Sequence, residues 1–429
     1  MRRVFFSTLL LLTLMCIVLT ASVSAAPPPN DKQLVGYFIE WGIYGRNYLV
    51  KDVMTSGSAA RLTTINYAFA NVVPNQEGQV VCQLGDEWAD YQKPWEASQS
   101  VTGDAVAWPN PILGNFQQLK ALKAMYPNLR VVISLGGWTW SKYFSDAALT
   151  PESRQAFVQS CVDLFIKGNL PDPGWGGMGG PGAAAGVFDG IDIDWEYPAA
   201  EGNPGNIIRP EDTQNFTALL AEFRAQLDAV KPGLLLTIAA PAGPEKAAKI
   251  EVKKIAAFVD WINLMTYDYH GPWDASTGFN SPLTASKKDP NQPSLSTAGT
   301  VNLYAQAGAP LNKLVVGVPF YGHGWSGVSD ENYGLYEPAA GAAPGTWEAG
   351  TDDYKMLKRK LNEGFVRYAD GLTHNAWLFD GTTFWTYDDP DVMAQKRAYV
   401  TAKGLRGVMF WELSGDTGNG ELIASLAGD

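Results

Sequence analysis

Short β-rich apolar runs alternate with amphipathic stretches of helical period along most of the 429-residue chain. The clearest helical stretch follows the fourth run, where Phe216, Leu219 and Phe223 share one face. The β-rich runs are LVGYFIEW from Leu34, LTTINYAFANV from Leu62, RVVISLGGW from Arg130, VFDGIDIDWE from Val187, LLLTIAAP from Leu234, VDWINLMTYD from Val259, LVVGVPFYG from Leu314 and RGVMFWELS from Arg406.

This alternation predicts a parallel sheet covered by helices, and eight is the number of strands that closes a (β/α)8 barrel. A doubly wound open sheet is the alternative, but it usually has fewer strands. We therefore predict an α/β fold in which a (β/α)8 TIM barrel spans residues 34–425.

Two segments interrupt the alternation. Residues 323–385, between the seventh and eighth runs, are too long for one crossover helix and combine strand-like runs with a helical segment, which predicts a small α+β insertion domain. Residues 71–115, after the second run, are predicted to form a long loop that contains Trp88, Trp95 and Trp108. Both segments follow the carboxyl ends of strands, where barrels hold their sites, so we expect them to form walls of a groove.

The first residues have the pattern of a secretory leader. Arg2 and Arg3 precede a long apolar run, and small residues then follow up to Ala25 or Ala26. This pattern predicts a signal peptide over residues 1–25 and a secreted mature chain. The alternative is an uncleaved anchor, but the apolar run is short for a membrane span.

Composition narrows the classes of partner. The chain has 32 basic and 44 acidic residues, a net charge of −12 and no basic run, which argues against nucleic acid and anionic membranes as partners. Tryptophan is plentiful at 15 residues; a core position is favoured for any single one, but aromatic faces also stack on sugar rings. Leader cleavage would leave only Cys82 and Cys161, too few for a disulfide framework, and their pairing stays open.

The fourth run, VFDGIDIDWE, contains the candidate catalytic residues, a row of alternating carboxyl side chains. Side chains alternate along a strand, so Asp192, Asp194 and Glu196 share one face. In a barrel this face is the interior, with Glu196 at the open carboxyl end. Like charges this close cannot all ionise cheaply, so at least one carboxyl is expected to hold a proton near neutral pH. Such a row suits Glu196 to act as a general acid.

Other interpretations of the acidic run fit less well. A solvated acidic edge conflicts with the flanking Ile191 and Ile193. Calcium and magnesium sites usually take carbonyl oxygens from loops, which alternating strand positions do not supply. The three histidines, His270, His323 and His374, have no metal-binding spacing. The segment GGMGGPG precedes a strand and is therefore no dinucleotide loop. We predict no metal and no cofactor.

Four motifs resemble those of one known family. DGIDIDWEYP, with the pattern D-x-x-D-x-D-x-E ending at Glu196, resembles the signature of glycoside hydrolase family 18, the chitinases. SLGGW, ending at Trp138, resembles the family's third-strand segment, and MTYD, ending at Asp268, resembles its sixth-strand motif. Trp411 lies where the family keeps a tryptophan under the bound sugar. Residues 323–385 resemble the inserted domain of the bacterial chitinase A-like subgroup.

The resemblance implies substrate-assisted, retaining hydrolysis of β-1,4-linked N-acetylglucosamine. Glu196 would protonate the glycosidic oxygen, and the acetamido oxygen of the substrate would be the nucleophile. Asp194 would orient the acetamido N–H, with Asp192 sharing a proton behind it. Tyr267 would bind the acetamido oxygen, and Asp268 would help to hold that sugar in a distorted ring.

Strand ends and the matched motifs also suggest which residues bind the substrate. The expected binding residues are Tyr37, Phe69, Gly136, Gly137, Trp138, Thr139, Tyr197, Met265, Thr266, Tyr321 and Trp411. For Tyr37, Phe69 and Tyr321 a core position is an equal alternative, and Trp108 and Trp273 are further candidates.

The expected partner is chitin or a chitooligosaccharide, bound by a secreted monomer with no nucleic acid partner and no membrane contact once the leader is removed. Two alternative functions are an endo-β-N-acetylglucosaminidase that trims N-glycans and an inactive chitin-binding lectin. The lectin is disfavoured because Asp192, Asp194, Glu196 and Tyr267 are all present.

Overall fold

The computed structural model describes residues 32–290 and 295–429, so the predicted signal peptide lies outside the described residues. The strands in these ranges are β1 Gln33–Ile39, β2 Thr64–Pro74, β3 Val80–Gln83, β4 Arg130–Gly136, β5 Gly190–Asp194, β6 Leu235–Pro241, β7 Trp261–Met265, β8 Leu314–Pro319, β9 Tyr321–Ser326, β10 Gly341–Ala342, β11 Thr351–Asp353, β12 Val366–Asp370, β13 Asn375–Phe379, β14 Thr383–Tyr387 and β15 Gly407–Trp411.

Helices cover the outside of the strands. The α-helices in the same ranges are α1 Val50–Thr55, α2 Gly114–Met125, α3 Gly137–Trp140, α4 Phe144–Ala148, α5 Pro151–Cys161, α6 Asp212–Val230, α7 Pro244–Ala247, α8 Val252–Ile255, α9 Thr297–Gln306, α10 Tyr354–Lys360, α11 Pro390–Ala402 and α12 Glu421–Ala427. None of these helices is both long and apolar enough to span a lipid bilayer.

Eight parallel strands of the described chain close into a barrel. Their order is β1, β2, β4, β5, β6, β7, β8 and β15, and β15 pairs back to β1. Each strand overlaps one of the eight apolar runs of the sequence and extends beyond it by at most two residues, so the predicted (β/α)8 barrel is confirmed and the open sheet is excluded. The carboxyl ends of all eight strands consequently meet at one face, which is where barrel sites are built.

The two faces of β5 pack in different environments. Ile191, Ile193 and Trp195 point outward and are buried beneath the helices. The Trp195 ring stacks on Phe144 of α4 at 5.4 Å and meets the edge of Phe216 of α6 at 5.5 Å. Full burial of such side chains contributes about 1.5–3 kcal/mol each. This packing fixes the register of β5 and turns its acidic face to the barrel interior.

A second sheet follows β8. Strands β9 to β14 pair antiparallel within residues 321–387, and α10 lies between β11 and β12 in the chain. The sheet extends two residues beyond each end of the predicted 323–385 segment. Its own apolar cluster includes Trp325, Trp377 and Phe384. Because β9 begins directly after β8, the sheet rises from the carboxyl face of the barrel.

The segment 71–115 is not one long loop, and this expectation was wrong. Strand β2 continues to Pro74 and pairs antiparallel with β3, and a disulfide joins Cys82 of β3 to Cys161 of α5. The segment contributes Gly85 and Asp86 to the lining of the groove, so part of the expected wall is present. Trp95 is buried, while the exposed Trp88 and Trp108 pack on each other at 6.3 Å and do not line the groove.

Candidate active site

The carboxyl ends of the barrel strands open into a groove of about 1420 Å³. This volume is above the range of about 300–1,000 Å³ that is usual for small-molecule sites. One wall comes from the barrel loops, and the other comes from the second sheet through His323, Trp347 and Asp353. A groove of this size and with two long walls suits an extended ligand.

Asp192 lies beneath the groove, inside the barrel, and its carboxylate accepts four hydrogen bonds. Oδ2 accepts from Tyr37 at 2.8 Å and from Ser134 at 2.8 Å. Oδ1 accepts from Thr237 and, at 3.3 Å, from Asn263. Burial raises the pKa of Asp192, and the hydrogen bonds oppose that rise. The donors come from four different strands, so the closed barrel itself holds this carboxyl.

Asp194, one layer above Asp192, has the opposite environment. Its Oδ1 is buried and has no hydrogen-bond partner, although the residue lines the groove. Burial, together with the charges of Glu196 and Asp192, raises the pKa of the Asp194 carboxyl well above its usual range. The raised pKa favours the neutral form of Asp194 over the carboxylate.

Glu196 follows the end of β5 and lines the groove at the mouth of the barrel. Its backbone is held on both sides, because its N–H donates to Ser141 Oγ at 2.8 Å and its carbonyl accepts from Asn206 at 2.9 Å. Burial raises the pKa of Glu196 to about 7, the charge of Asp268 adds to the rise, and that of Lys246 opposes it. A carboxyl group with this pKa is suited to donate a proton near neutral pH.

The backbone below Glu196 explains one glycine of the SLGGW segment. Gly136 has a φ of 99°, and a Cβ there would lie 2.6 Å from the carbonyl oxygen of Asp194. Only glycine permits both this backbone conformation and the close approach of β4 to β5.

Tyr267 and Asp268 follow β7, two strands from β5 in the barrel, and line the same groove as Glu196. The rings of Tyr267 and Tyr321 are in edge contact, with 6.2 Å between their centres. Burial raises the pKa of Tyr267, and the charges of Asp194 and Asp268 raise it further. Asp268 adopts a φ of 58°, and its N–H donates to Asn280 Oδ1 at 2.7 Å. The hydroxyl of Tyr321 donates to Asp268 Oδ1 at 2.6 Å. Glu196 thus shares the groove with a phenol and a second carboxylate, and the charge of that carboxylate acts on its pKa.

Aromatic rings form the floor and the rims of the groove. Trp411 stacks on Phe69 at 5.6 Å and approaches Tyr37 at 5.3 Å, which gives a flat floor at the centre. Four exposed tryptophans lie along the rims, and they are Trp41, Trp138, Trp273 and Trp347, with exposed fractions of 39%, 48%, 62% and 45%. Large apolar rings that face solvent inside a groove are typical of surfaces that stack on sugars.

The groove brings together most of the residues that the sequence pointed to. Those that line it are Glu196, Asp194, Tyr267, Asp268, Tyr37, Phe69, Gly136, Trp138, Thr139, Tyr197, Met265, Tyr321 and Trp411.

Three predicted residues lie elsewhere or act differently. The side chain of Thr266 is buried and donates to the carbonyl of Gly317 at 2.6 Å, so its assignment to the substrate was wrong. The alternation that turns Met265 and Tyr267 inward turns Thr266 outward. Gly137 does not line the groove but packs against the Phe69 ring, where a Cβ would lie 2.7 Å away. The Tyr37 hydroxyl is engaged by Asp192, which assigns it to support of that acid.

The structure adds residues that the sequence did not reveal. Trp41 lines the groove and comes two residues after β1 ends, and this position at the carboxyl end of a strand could have identified it from the sequence. Lys246 on α7 lies 3.9 Å from the ring centre of Tyr197. His323 lies on β9 of the second sheet and Trp347 lies on the loop between β10 and β11, and no local pattern encodes the approach of that sheet to the barrel.

No group of three or more potential metal-binding side chains comes together in residues 32–290 and 295–429.

The fold and the site define a class. A (β/α)8 barrel that carries a row of carboxyl groups along one strand into a groove lined with tryptophan is the arrangement of a barrel-fold glycoside hydrolase. The chain belongs to glycosyl hydrolases family 18, and the model of that family matches residues 33–416.

Individual relatives agree with this assignment. The chain is 41% identical over 401 residues to Chitinase C of Streptomyces lividans, in an alignment that covers 92% of this chain and 59% of that relative. It spans about three-fifths of the length of this and two further curated chitinases that it matches.

Solved structures are similar as well. The catalytic domain of psychrophilic chitinase B from Arthrobacter TAD20 has a TM-score of 0.87 and 42% identity, and covers 92% of this chain and 94% of that one. Catalytic domain 2 of the Group II chitinase from Ostrinia furnacalis, a mutant in complex with (NAG)5, has a TM-score of 0.74 and 28% identity, and covers 92% and 96%.

Proposed function

We propose that this protein is a secreted chitinase that hydrolyses β-1,4-linked N-acetylglucosamine polymers with retention, and that Glu196 is its general acid. The observation that carries the proposal is the position of Glu196 at the barrel mouth with a pKa raised to about 7, above the buried Asp194 and Asp192. The named relatives are chitinases, and one of the solved structures is a complex with a chitooligosaccharide.

In the proposed reaction Glu196 gives its proton to the glycosidic oxygen as the bond to the anomeric carbon breaks. The substrate's acetamido oxygen attacks that carbon from the opposite face, which forms a cyclic oxazolinium ion. The now ionised Glu196 then accepts a proton from water as the water opens the ring, so the original configuration is restored.

Asp194 is placed to serve the acetamido group. Its buried Oδ1 lacks a partner in the described structure, and an acetamido N–H in the groove would supply one. As positive charge develops on the substrate, Asp194 stabilises it by releasing its own proton toward Asp192. Burial raises the pKa of Asp192, which allows that carboxyl to take a share of the proton, and the four donors around it limit that share.

Tyr267 and Asp268 would hold the same sugar from the other side. The Tyr267 hydroxyl lies 3.8 Å from Met409 Sδ, a weak acceptor, and is free to donate to the acetamido oxygen. Asp268 would accept from the sugar and keep its ring distorted. Trp411 provides the platform under that sugar, and the exposed tryptophans on the rims would bind its neighbours along the polymer.

Secretion and domain organisation form part of the proposal. Residues 1–25 would be removed as a signal peptide, and residues 34–425 would form the catalytic barrel with the insertion domain at 323–385. The disulfide between Cys82 and Cys161 supports an oxidising compartment, because such bonds are rare in the cytosol.

The test is release of a chromogen from a di- or trimer of N-acetylglucosamine by the wild type and by Glu196→Gln, with sugar binding measured on both. Loss of the general acid should lower turnover by about 10²–10⁴-fold while binding persists. A wild-type protein that binds but releases nothing would be a lectin. Cleavage of N-glycans in preference to chitin oligomers would favour the endo-β-N-acetylglucosaminidase, which the long groove makes the weaker candidate.

A further inference from the structure

The carboxylate of Asp268 is held from the second sheet and not from the barrel. Its Oδ1 accepts from the Tyr321 hydroxyl at 2.6 Å and also lies 2.8 Å from His323 Nε2. Both residues belong to β9, the first strand of that sheet. Among the described residues, no side chain of a barrel strand donates to this carboxylate. The side chain of Asp268 is half exposed and lines the groove, and no hydrogen bond to its Oδ2 is found among the described residues.

His323 is buried and tightly packed, although the function as described so far gives it no role. Its ring meets the edge of Trp273 at 5.1 Å and of Tyr321 at 5.4 Å. Strand pairing fixes its backbone on both sides, with Thr351 of β11 and Thr386 of β14 as its partners. Burial and the two ring contacts limit rotation of the imidazole, and strand pairing fixes the backbone from which it extends.

The hydrogen-bond partners of His323 Nδ1 are compatible with two protonation forms of the ring that both donate to Asp268. His323 Nδ1 lies 3.3 Å from the Gly350 carbonyl and 3.3 Å from Thr351 Oγ1. An imidazolium would donate to Gly350 and to Asp268. A neutral ring with its proton on Nε2 would donate to Asp268 and accept from the Thr351 hydroxyl. Both forms present an N–H to Asp268, so this donor persists when the ring gains or loses its second proton.

We propose that His323 is a positioning residue for the reaction: it binds Oδ1 of Asp268 together with Tyr321 and so directs Oδ2 toward the bound sugar. The proposal rests on the proposed function, since it assumes that Asp268 contacts a sugar in the groove. The second sheet then does more than form a wall of the groove, because it orients Asp268 through the contacts that Tyr321 and His323 make with Oδ1.

The consequence is specific to one residue. A carboxylate held by Tyr321 alone could rotate about that one contact, and Oδ2 would then lose its fixed direction. Misplacement of a reacting or orienting group by about 1 Å can lower a rate by about 10²-fold. The loss should fall on kcat, because binding along the groove depends mainly on the aromatic rings.

The test is a double-mutant cycle with a chromogenic chitooligosaccharide. His323→Leu should lower kcat by about 10- to 100-fold with little change in KM. His323→Gln, which retains an amide N–H of similar reach, should recover most of that loss. In an Asp268→Asn background, His323→Leu should have almost no further effect, because two residues that act as a unit are not additive.

The matched control is His374→Asn. His374 lies on an exposed turn of the same sheet with a φ of 57°, which asparagine tolerates, and kinetics should be unchanged. Thermal unfolding of each variant monitors the fold.

An equal loss from His323→Leu with and without Asp268, or no recovery with glutamine, would overturn the proposal and assign His323 to the support of β9 alone. Failure of the proposed function looks different, because the wild type itself would then release no sugar.

Discussion

The hydroxyl of Tyr37 donates to Oδ2 of Asp192 at 2.8 Å across the interior of the barrel, joining two residues that lie 155 positions apart in the chain. This bond supplies one of four donors to an acid that lies below the groove and contacts no solvent. Strand β1 therefore influences the pKa of an acid on β5, the fourth strand of the barrel, at a point below the mouth.

Tyr37→Phe removes that donor and nothing else from the interior. Loss of this hydrogen bond to a carboxylate should destabilise the fold by about 1.5–3 kcal/mol. It should also lower kcat, because the bond lowers the pKa of Asp192, and without it Asp192 holds the proton that it shares with Asp194 more tightly and returns it less readily. Tyr304→Phe is the control, since its buried hydroxyl donates to the Pro241 carbonyl at 2.8 Å, away from the acids. Urea unfolding and kcat should show a stability loss in both variants but a kinetic loss in Tyr37→Phe only. Equal kcat in the two would contradict the role of Tyr37.

The pH dependence of turnover should follow Glu196. The protonated form donates, so kcat should be constant at low pH and fall as pH rises through the Glu196 pKa of about 7. The charge of Asp268 raises this pKa and that of Lys246 lowers it. Asp268→Asn should therefore move the alkaline limb to lower pH, and Lys246→Met should move it to higher pH. Shifts in the same direction, or an unmoved limb, would show that another group controls the profile.

His270 should make the stability of the fold fall at alkaline pH. Burial lowers the pKa of His270, but Asp274 and Asp289, each 2.8 Å from one ring nitrogen, raise it to about 9. Because the folded pKa lies above the unfolded value of about 6.5, the stabilisation is fully present below pH ~6.5 and is lost as pH rises through about 9.

The size of this effect can be checked with one variant. His270→Gln should cost about 3 kcal/mol more at about pH 6 than at about pH 10, measured from urea unfolding midpoints of variant and wild type. An equal cost at both pH values would mean that the triad stabilises by packing and not by charge.

The disulfide between Cys82 and Cys161 closes a loop with a sequence separation of 79 residues. A loop of this size should stabilise the fold by about 4 kcal/mol through the restricted unfolded chain. The double variant Cys82→Ala, Cys161→Ala should have a lower unfolding temperature than the oxidised wild type. A thiol reductant should lower the wild-type value toward that of the variant and leave the variant unchanged. A wild type that is insensitive to reductant under unfolding conditions would contradict the bond.

The barrel could be predicted from sequence because each of its strands is an apolar run bounded by polar residues. The direction of the side chains on β5 could be predicted as well, since period-two alternation separates Asp192, Asp194 and Glu196 from the isoleucines. The same rule, applied to MTYD, would have excluded Thr266, which was included only because it lies within a motif. The β2–β3 hairpin was missed because polar residues around Gly78 resemble a loop, and strand pairing across a turn leaves a weak local pattern.

The residues of the second groove wall could not be predicted from the sequence, for a different reason. His323 and Trp347 enter the site through the placement of one sheet on another, which depends on tertiary packing and not on any window of sequence. His323 had been considered only for metal-binding spacing, yet its importance lies in a contact with Asp268, 55 positions away.

The four tryptophans on the rims of the groove have an optical consequence. Trp41, Trp138, Trp273 and Trp347 are exposed, whereas Trp95, Trp261, Trp325 and Trp385 are buried. A sugar that covers the rims should change the emission of the exposed indoles and leave that of the buried ones unaltered. Occupancy of the groove can therefore be followed by intrinsic fluorescence, without a label. In Glu196→Gln the fluorescence change would report binding without turnover. Trp→Phe substitutions at the four positions, made one at a time, would each remove one contribution to that change and so show how far along the groove a bound chain extends.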